Sequence, residues 1–146
     1  MRRIALLATC LVLALAGVAV AAVSYKTGTY KAGTAKGDGV SLKVGHGTFS
    51  ISRISFRETC TSSNDEFSDR FAFVKGSQAK LTGKINSKGH LSGTYKSSAG
   101  TVKITGTIKG SAATVKGSES GMYTPPSSTA QYDCRGSHTF HAKRVK

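Results

Sequence analysis

The 146-residue chain carries 21 lysines and arginines against 7 aspartates and glutamates, for a formal net charge of +14, and it contains no tryptophan. About 125 residues remain after removal of a predicted leader, which suits one domain that buries ~65% of its unfolded surface. A multidomain protein is therefore disfavoured, and the lack of a GxSxG motif disfavours a hydrolase with a nucleophile elbow.

Residues 1–21 are predicted to form a secretion signal peptide. Arg2 and Arg3 precede an apolar run over Ile4–Val18, and a small-x-small Ala-Val-Ala motif ends the segment. The mature chain is then a single β domain, 22–146, that is secreted, extracellular or attached to the cell surface. An uncleaved membrane anchor stays open, because the apolar run approaches the ~20 residues that span a bilayer.

The first strands follow from alternation of apolar and polar residues. Val40–Val44 alternates, Gly45–Gly47 forms a turn, and Phe49 and Ile51 continue on the returning strand. The apolar phase then slips by one residue, which would turn side chains to the wrong face. A β-bulge near Ser52–Arg53 would restore the buried face.

Phe71 and Phe73 begin the next predicted strand, which leads into a turn at Gly76–Ser77, and a repeat follows. LTGKI, LSGTY and ITGTI each place a glycine in phase with the inward apolar residues, and a weaker copy follows. The glycines are expected to relieve crowding where a sheet curls. They are Gly83, Gly93, Gly106 and Gly117.

Turn clusters separate these strands, at 86–89, 97–100 and 110–111, and a loop of about ten residues, GMYTPPSSTA, precedes a closing strand over Tyr132–Arg144. We therefore predict an all-β fold, an antiparallel meander of about eight or nine strands. A small barrel or a strongly coiled sandwich would hide the sheet edges.

Two cysteines follow the leader, Cys60 and Cys134, and their separation excludes a CxxC redox or zinc motif. An even count in an exported chain predicts a disulfide, with one connectivity. Such a bond would gather charged and aromatic residues at one end of the domain, where a specific ligand could bind. This possible loop site consists of Arg57, Asp65, Glu66, Tyr123, Tyr132 and Arg135.

The strongest chemical signal is a set of lysines at the outward positions of the repeat strands. Basic stripes attract polyanions, and an exported protein would meet teichoic acid, acidic polysaccharide, extracellular DNA and anionic membrane surfaces. Solubility and protection of strand edges explain such lysines equally simply. The predicted polyanion-binding face consists of Lys80, Lys84, Lys96, Lys103, Lys109 and Lys116.

The plan of the chain is GTYK near the mature start, a GVSLKV strand, a cysteine after the third strand, glycine-centred strands, and a second cysteine before a closing strand ending HAKRVK. In this plan it resembles a group of small secreted bacterial β-proteins of actinobacterial type, which have one disulfide and no assigned function. Locally, HLSGTYKSSAG is similar to a strand and turn of the avidin family. That family builds its biotin pocket from tryptophans, which this chain lacks, so no biotin contact is carried over.

These observations predict a non-enzymatic secreted β-domain, without cofactor or metal, that associates with anionic polymers of the cell surface or medium. The alternative is a barrel that binds a small apolar ligand in its interior. It would require a hollow interior, and it fails if that interior is filled by Leu81, Ile85, Tyr95, Ile104 and Ile108.

Overall fold

A computed structural model describes residues 25–34, 37–74, 80–126 and 128–146. The predicted leader, 1–21, and the predicted turn at Gly76–Ser77 lie outside the described residues.

The described chain consists of antiparallel strands joined by short connections, and it contains no helix. This confirms the predicted all-β class and the expected strand number. The nine strands are β1 (Gly28–Gly33), β2 (Gly39–Val44), β3 (Thr48–Thr61), β4 (Glu66–Val74), β5 (Thr82–Ile85), β6 (His90–Lys96), β7 (Gly100–Lys109), β8 (Ala112–Tyr123) and β9 (Tyr132–Arg144).

The single sheet rings round on itself. Its strand order is β2-β1-β9-β8-β7-β6-β5-β3-β4, and the additional pairing of β2 with β3 joins the two ends of that series. Eight strands thus complete a ring, while β4 extends the sheet beside the second half of β3. Closure leaves few unpaired edges, which is how antiparallel sheets avoid edge-to-edge aggregation.

Strand β3 is long enough to pair with different neighbours along its length. Its first half lies between β2 and β5, and its second half lies between β4 and β9. The register against β2 shifts between Ser41 and Leu42, where Ser41 pairs with Arg53 but Leu42 pairs with Ile51. Ser52 is the extra residue, so the predicted β-bulge is confirmed.

The interior of the ring is filled with side chains. Tyr30, Phe56 and Leu42 are fully buried and are among the largest buried residues. The residues named above as a test of a hollow interior belong to the core or pack against it: Leu81, Ile85, Ile104 and Ile108 are buried and Tyr95 is half-buried. This packing weighs against an internal ligand, because it occupies the space that such a ligand would need.

The repeat glycines face inward as predicted, and the structure shows what occupies the space they leave. A Cβ on Gly83 would lie 2.4 Å from Cε1 of Phe49, and one on Gly93 would lie 3.0 Å from Cζ of the same ring. On β8, a Cβ on Gly117 would lie 2.5 Å from Cδ1 of Ile54. These three glycines therefore make room for large side chains of β3, whereas a Cβ on Gly106 would meet the backbone of β8 instead.

Candidate functional site

All six lysines of the predicted polyanion-binding face are exposed, but they do not form one stripe. Lys84 and Lys116 lie in one cross-strand row, separated by Ser92 and Thr105. Three strand spacings of ~4.8 Å put them about 14 Å apart. Lys103 is the diagonal neighbour of Lys116 across β7 and β8. We call the outer side of β5–β8 that carries these three lysines the lysine face.

The other three lysines lie at the margins of this group, and Lys96 is the diagonal neighbour of Lys103 across β6 and β7. Lys80 precedes β5, and Lys109 pairs with Ala112 at the far end of β7. Lys96 pairs with Thr101, in the row that leads through Ser120 to Arg135. Lys96 therefore lies toward the end of the domain that carries the disulfide.

The lysine face continues into an open groove of about 820 Å³ on the outer side of β2, β3, β5 and β6. The side chains that line it on the outward positions are hydroxyls and two ammonium groups, and none of the lining residues is acidic. Both kinds of group donate hydrogen bonds to anionic oxygens. The outward-facing residues of this outer groove are Lys43, Thr48, Ser50, Thr82, Lys84, Ser92 and Thr94.

Lys43 belongs to the outer groove, although the sequence reasoning did not select it. It alternates with the buried Leu42 and Val44, so its outward direction was readable from the sequence. Its position beside Ser50, which in turn pairs with Thr82, depends on the register of β2 on β3 and of β3 on β5. That register was not predicted.

The carboxylates lie away from the outer groove. All seven acidic residues of the chain are in described positions, and six of them lie on or beside the disulfide-bearing ends of β3, β4, β8 and β9. The seventh, Asp38, contacts Arg70 of β4 and lies 3.9 Å from Nδ1 of His138. Because nearby carboxylates would repel an anion, this segregation leaves the field at the groove strongly positive.

The predicted disulfide between Cys60 and Cys134 is present, and the two residues are direct partners of β3 and β9. It brings part of the possible loop site together around Phe67. The rings of Tyr132 and Tyr123 lie 4.9 and 6.4 Å from the Phe67 ring, both edge-on. The hydroxyl of Tyr132 lies 3.5 Å from Oδ2 of Asp65.

Among the other charged members of the loop site, Arg135 binds a residue outside the set, and Arg57 and Glu66 are placed by the register of β3 on β4. Arg135 holds Asp133 with two hydrogen bonds, at 3.2 and 2.7 Å, and these keep the pKa of Asp133 below its ordinary value. Arg57 pairs with Arg70 and Glu66 pairs with Thr61 along β3 and β4. The predicted loop of about ten residues is also shorter, because β8 extends to Tyr123 and pairs there with Tyr132.

A pair of carboxyl groups, Glu58 of β3 and Glu119 of β8, lies next to the disulfide, and the sequence reasoning did not pair these residues. Both are opposite Gly136 of β9, which has no side chain to separate them. Burial, and then the hydrogen bond and negative charge of Glu58, raise the pKa of Glu119 to about 8. Its Oε2 atom is buried without a hydrogen-bond partner in the described structure. Glu119 therefore holds a proton at neutral pH.

This carboxyl pair is poorly suited to two familiar roles. Glu58 lies within 4.8 Å of the two cysteine sulfurs, but these form a disulfide and lack the thiolate that binds metals. Glycosidases need carboxyl groups about 5 Å apart or more to admit a sugar or water. Two carboxyls in direct hydrogen-bonding contact leave no such space.

The disulfide is compatible with an extracellular location. Across the parts of the chain that the structure describes, we find no apolar helix with the length needed to span a membrane.

Comparisons with family models, with curated proteins and with solved structures found no match to this chain.

Proposed function

We propose that this protein is a non-enzymatic binding protein that associates with anionic polymers of the cell surface or the extracellular medium. The outer groove and the adjoining lysine face would be the binding surface. The observation that carries the proposal is the groove itself, which combines lysines and hydroxyls without a carboxylate among its lining residues.

The chemistry of the groove favours recognition of the anionic backbone of a polymer over recognition of bases or apolar groups. Ammonium groups neutralise anionic groups and release counterions, while serine and threonine hydroxyls donate to the same oxygens. Among the described residues, Phe49 is the only aromatic residue that lines the groove, and it is buried, so bases have no exposed ring to stack on here. Teichoic acid, acidic polysaccharide, extracellular DNA and anionic lipid surfaces remain the candidate partners.

A salt titration tests the proposal. Affinity for heparin and for duplex DNA is measured at several salt concentrations, and we expect log K to fall linearly with log salt. The double variant Lys43→Gln/Lys84→Gln should bind more weakly. For DNA, its salt slope should be smaller in magnitude by about 0.9 for each lysine that contacts a phosphate.

The matched control is Arg57→Gln/Arg135→Gln, which removes two exposed charges near the disulfide instead. It should bind almost as well as the unchanged protein, because charges beyond the ~10 Å Debye length are screened at 0.1 M salt. Equal losses in the two double variants would mean that only net charge matters, and the groove would be excluded as the site. Lack of binding to heparin, DNA and anionic vesicles at low salt would refute the function.

A further inference from the structure

A second opening, of about 340 Å³, lies on the outer face where β1, β2 and the bulged part of β3 meet. It is separate from the outer groove, since the two share no lining residue. Its polar side chains are Lys31, Thr34, Ser41, Ser52 and Arg53, and none of its lining residues is acidic. We call it the bulge pocket.

The β-bulge in β3 determines which side chains line this pocket. An ordinary strand would turn one of two successive residues inward, but the extra residue lets both Ser52 and Arg53 line the outer face. The hydroxyl of Ser52 donates to the carbonyl oxygen of Ser41 at 3.0 Å and lies 3.0 Å from the Ser41 hydroxyl. Two hydroxyls therefore meet at the pocket wall.

Arg53 is held in place by a buried neighbour. Its Nη2 donates to the carbonyl oxygen of Gly37 at 3.2 Å and to Oγ of Ser55 at 3.3 Å. Ser55, with 3% of its surface exposed, donates to the same Gly37 carbonyl at 2.8 Å. A guanidinium has five N–H donors, so this anchored group retains donors for a ligand, and its position is fixed before the ligand arrives.

Lys31 adds a second cation in an unfavourable setting. It is the direct cross-strand partner of Lys143 on β9, and like charges opposite each other destabilise a sheet. Asp38, which directly precedes β2, is bonded to Arg70. A bound anion would relieve the repulsion between the two lysines. Anion binding would therefore explain why two lysines face each other at a position where they destabilise the fold.

We propose that the bulge pocket binds a phosphate group, with the Arg53 guanidinium and the Lys31 ammonium as its charged donors and the Ser41 and Ser52 hydroxyls beside them. A planar fork, a point charge and hydroxyls together suit a tetrahedral dianion with several acceptor oxygens. The volume exceeds what a bare ion fills and is in the range of small-molecule sites. A phosphate ester therefore fits the pocket better than the free ion does.

Calorimetric titration of the whole protein with inorganic phosphate and with glycerol phosphate tests the site. We expect saturable binding of both, tighter for the ester. Lys31→Gln and Arg53→Gln should each weaken it about tenfold or more, as expected for loss of a charged hydrogen bond. Lys84→Gln, which removes an equal charge from a more distant part of the outer groove, should change the affinity less than about threefold, since it acts only through the screened field.

Absence of saturable phosphate binding would overturn the proposal, and so would a loss in Lys84→Gln as large as that in Lys31→Gln. If Arg53→Gln fails to fold, Lys31→Gln decides, because no hydrogen bond of the Lys31 side chain is seen in the described structure. The site could anchor the polymer proposed above, but titration with small phosphates does not require polymer binding. Failure at the groove and failure at the bulge pocket are thus distinguishable.

Discussion

Substitution of Gly83 by alanine tests whether the repeat glycines exist to accommodate Phe49. The new Cβ would lie 2.4 Å from Cε1 of Phe49 and 2.4 Å from the carbonyl oxygen of Ser92. Carbon atoms pack best at about 3.5 to 4.0 Å, so the ring must move by roughly 1 Å. Ser92 contributes a backbone atom of β6, which cannot rotate away.

Overpacking of this kind typically costs about 1 to 3 kcal/mol, and the double contact places Gly83→Ala near the upper end. That is a large share of the ~5–15 kcal/mol by which a domain is stable. Urea unfolding should show a lower midpoint with an unchanged slope, because the surface exposed on unfolding stays the same.

Gly45→Ala is the matched control. Its Cβ would have its nearest neighbour, Oγ1 of Thr48, at an ordinary 3.5 Å. Both variants reduce the entropy of the unfolded chain equally, so their difference isolates the native contact. Trimming the ring in Phe49→Leu should recover about 1 kcal/mol of the Gly83→Ala loss in a double-mutant cycle. Equal stability of Gly83→Ala and Gly45→Ala would refute the packing explanation.

Three other predictions concern stability. Replacing Cys60 and Cys134 by serine should cost about 4 kcal/mol, since the bond closes a long loop; urea unfolding within 1 kcal/mol of the unchanged protein would contradict it. Because its pKa is raised to about 8, protonated Glu119 stabilises the fold fully below about pH 4.5, and this contribution is lost as pH rises toward 8. Melting temperatures of Glu119→Gln should lack that decline, and an identical pH profile in the two proteins would disprove the linkage. Tyr30→Phe should cost about 1 to 3 kcal/mol in urea unfolding, because the single proton of the buried hydroxyl is shared between two backbone carbonyl oxygens at 2.6 and 2.9 Å; an unchanged stability would show that this interaction contributes nothing net.

Much of the local structure could be predicted because it depends on neighbours in sequence. The phase slip before Ile54 located the bulge, and alternation placed the closing strand at Tyr132–Arg144. An even cysteine count in a chain that was predicted to be exported identified the disulfide. The bulge and the closing strand follow from the order of a few consecutive residues, and the disulfide follows from the number of cysteines.

The ring closure and both sites on the outer face depend instead on the pairing of distant strands. Lys31 and Lys143 meet only because β1 pairs with the end of β9, and no local pattern encodes that register. The carboxyl pair had a usable signal, since Glu58 falls in phase with the buried Phe56 and Cys60. Alternation would have placed Glu58 inward, although we did not use that signal, and its contact with Glu119 required the positions of β8 and β9.

The distribution of charge connects the fold to the proposed function. A sheet that rings round with a filled interior has only its outer face and its two ends available for binding. Here six of the seven carboxylates lie at the disulfide end, where a proton on Glu119 and the guanidinium of Arg135 partly neutralise them. Solubility alone would be served by interspersed charges of both signs, and it would not require a groove and a pocket whose lining residues include cations but no acids. Segregation costs repulsion between cations such as Lys31 and Lys143, and an anionic ligand on the outer face is what would offset it.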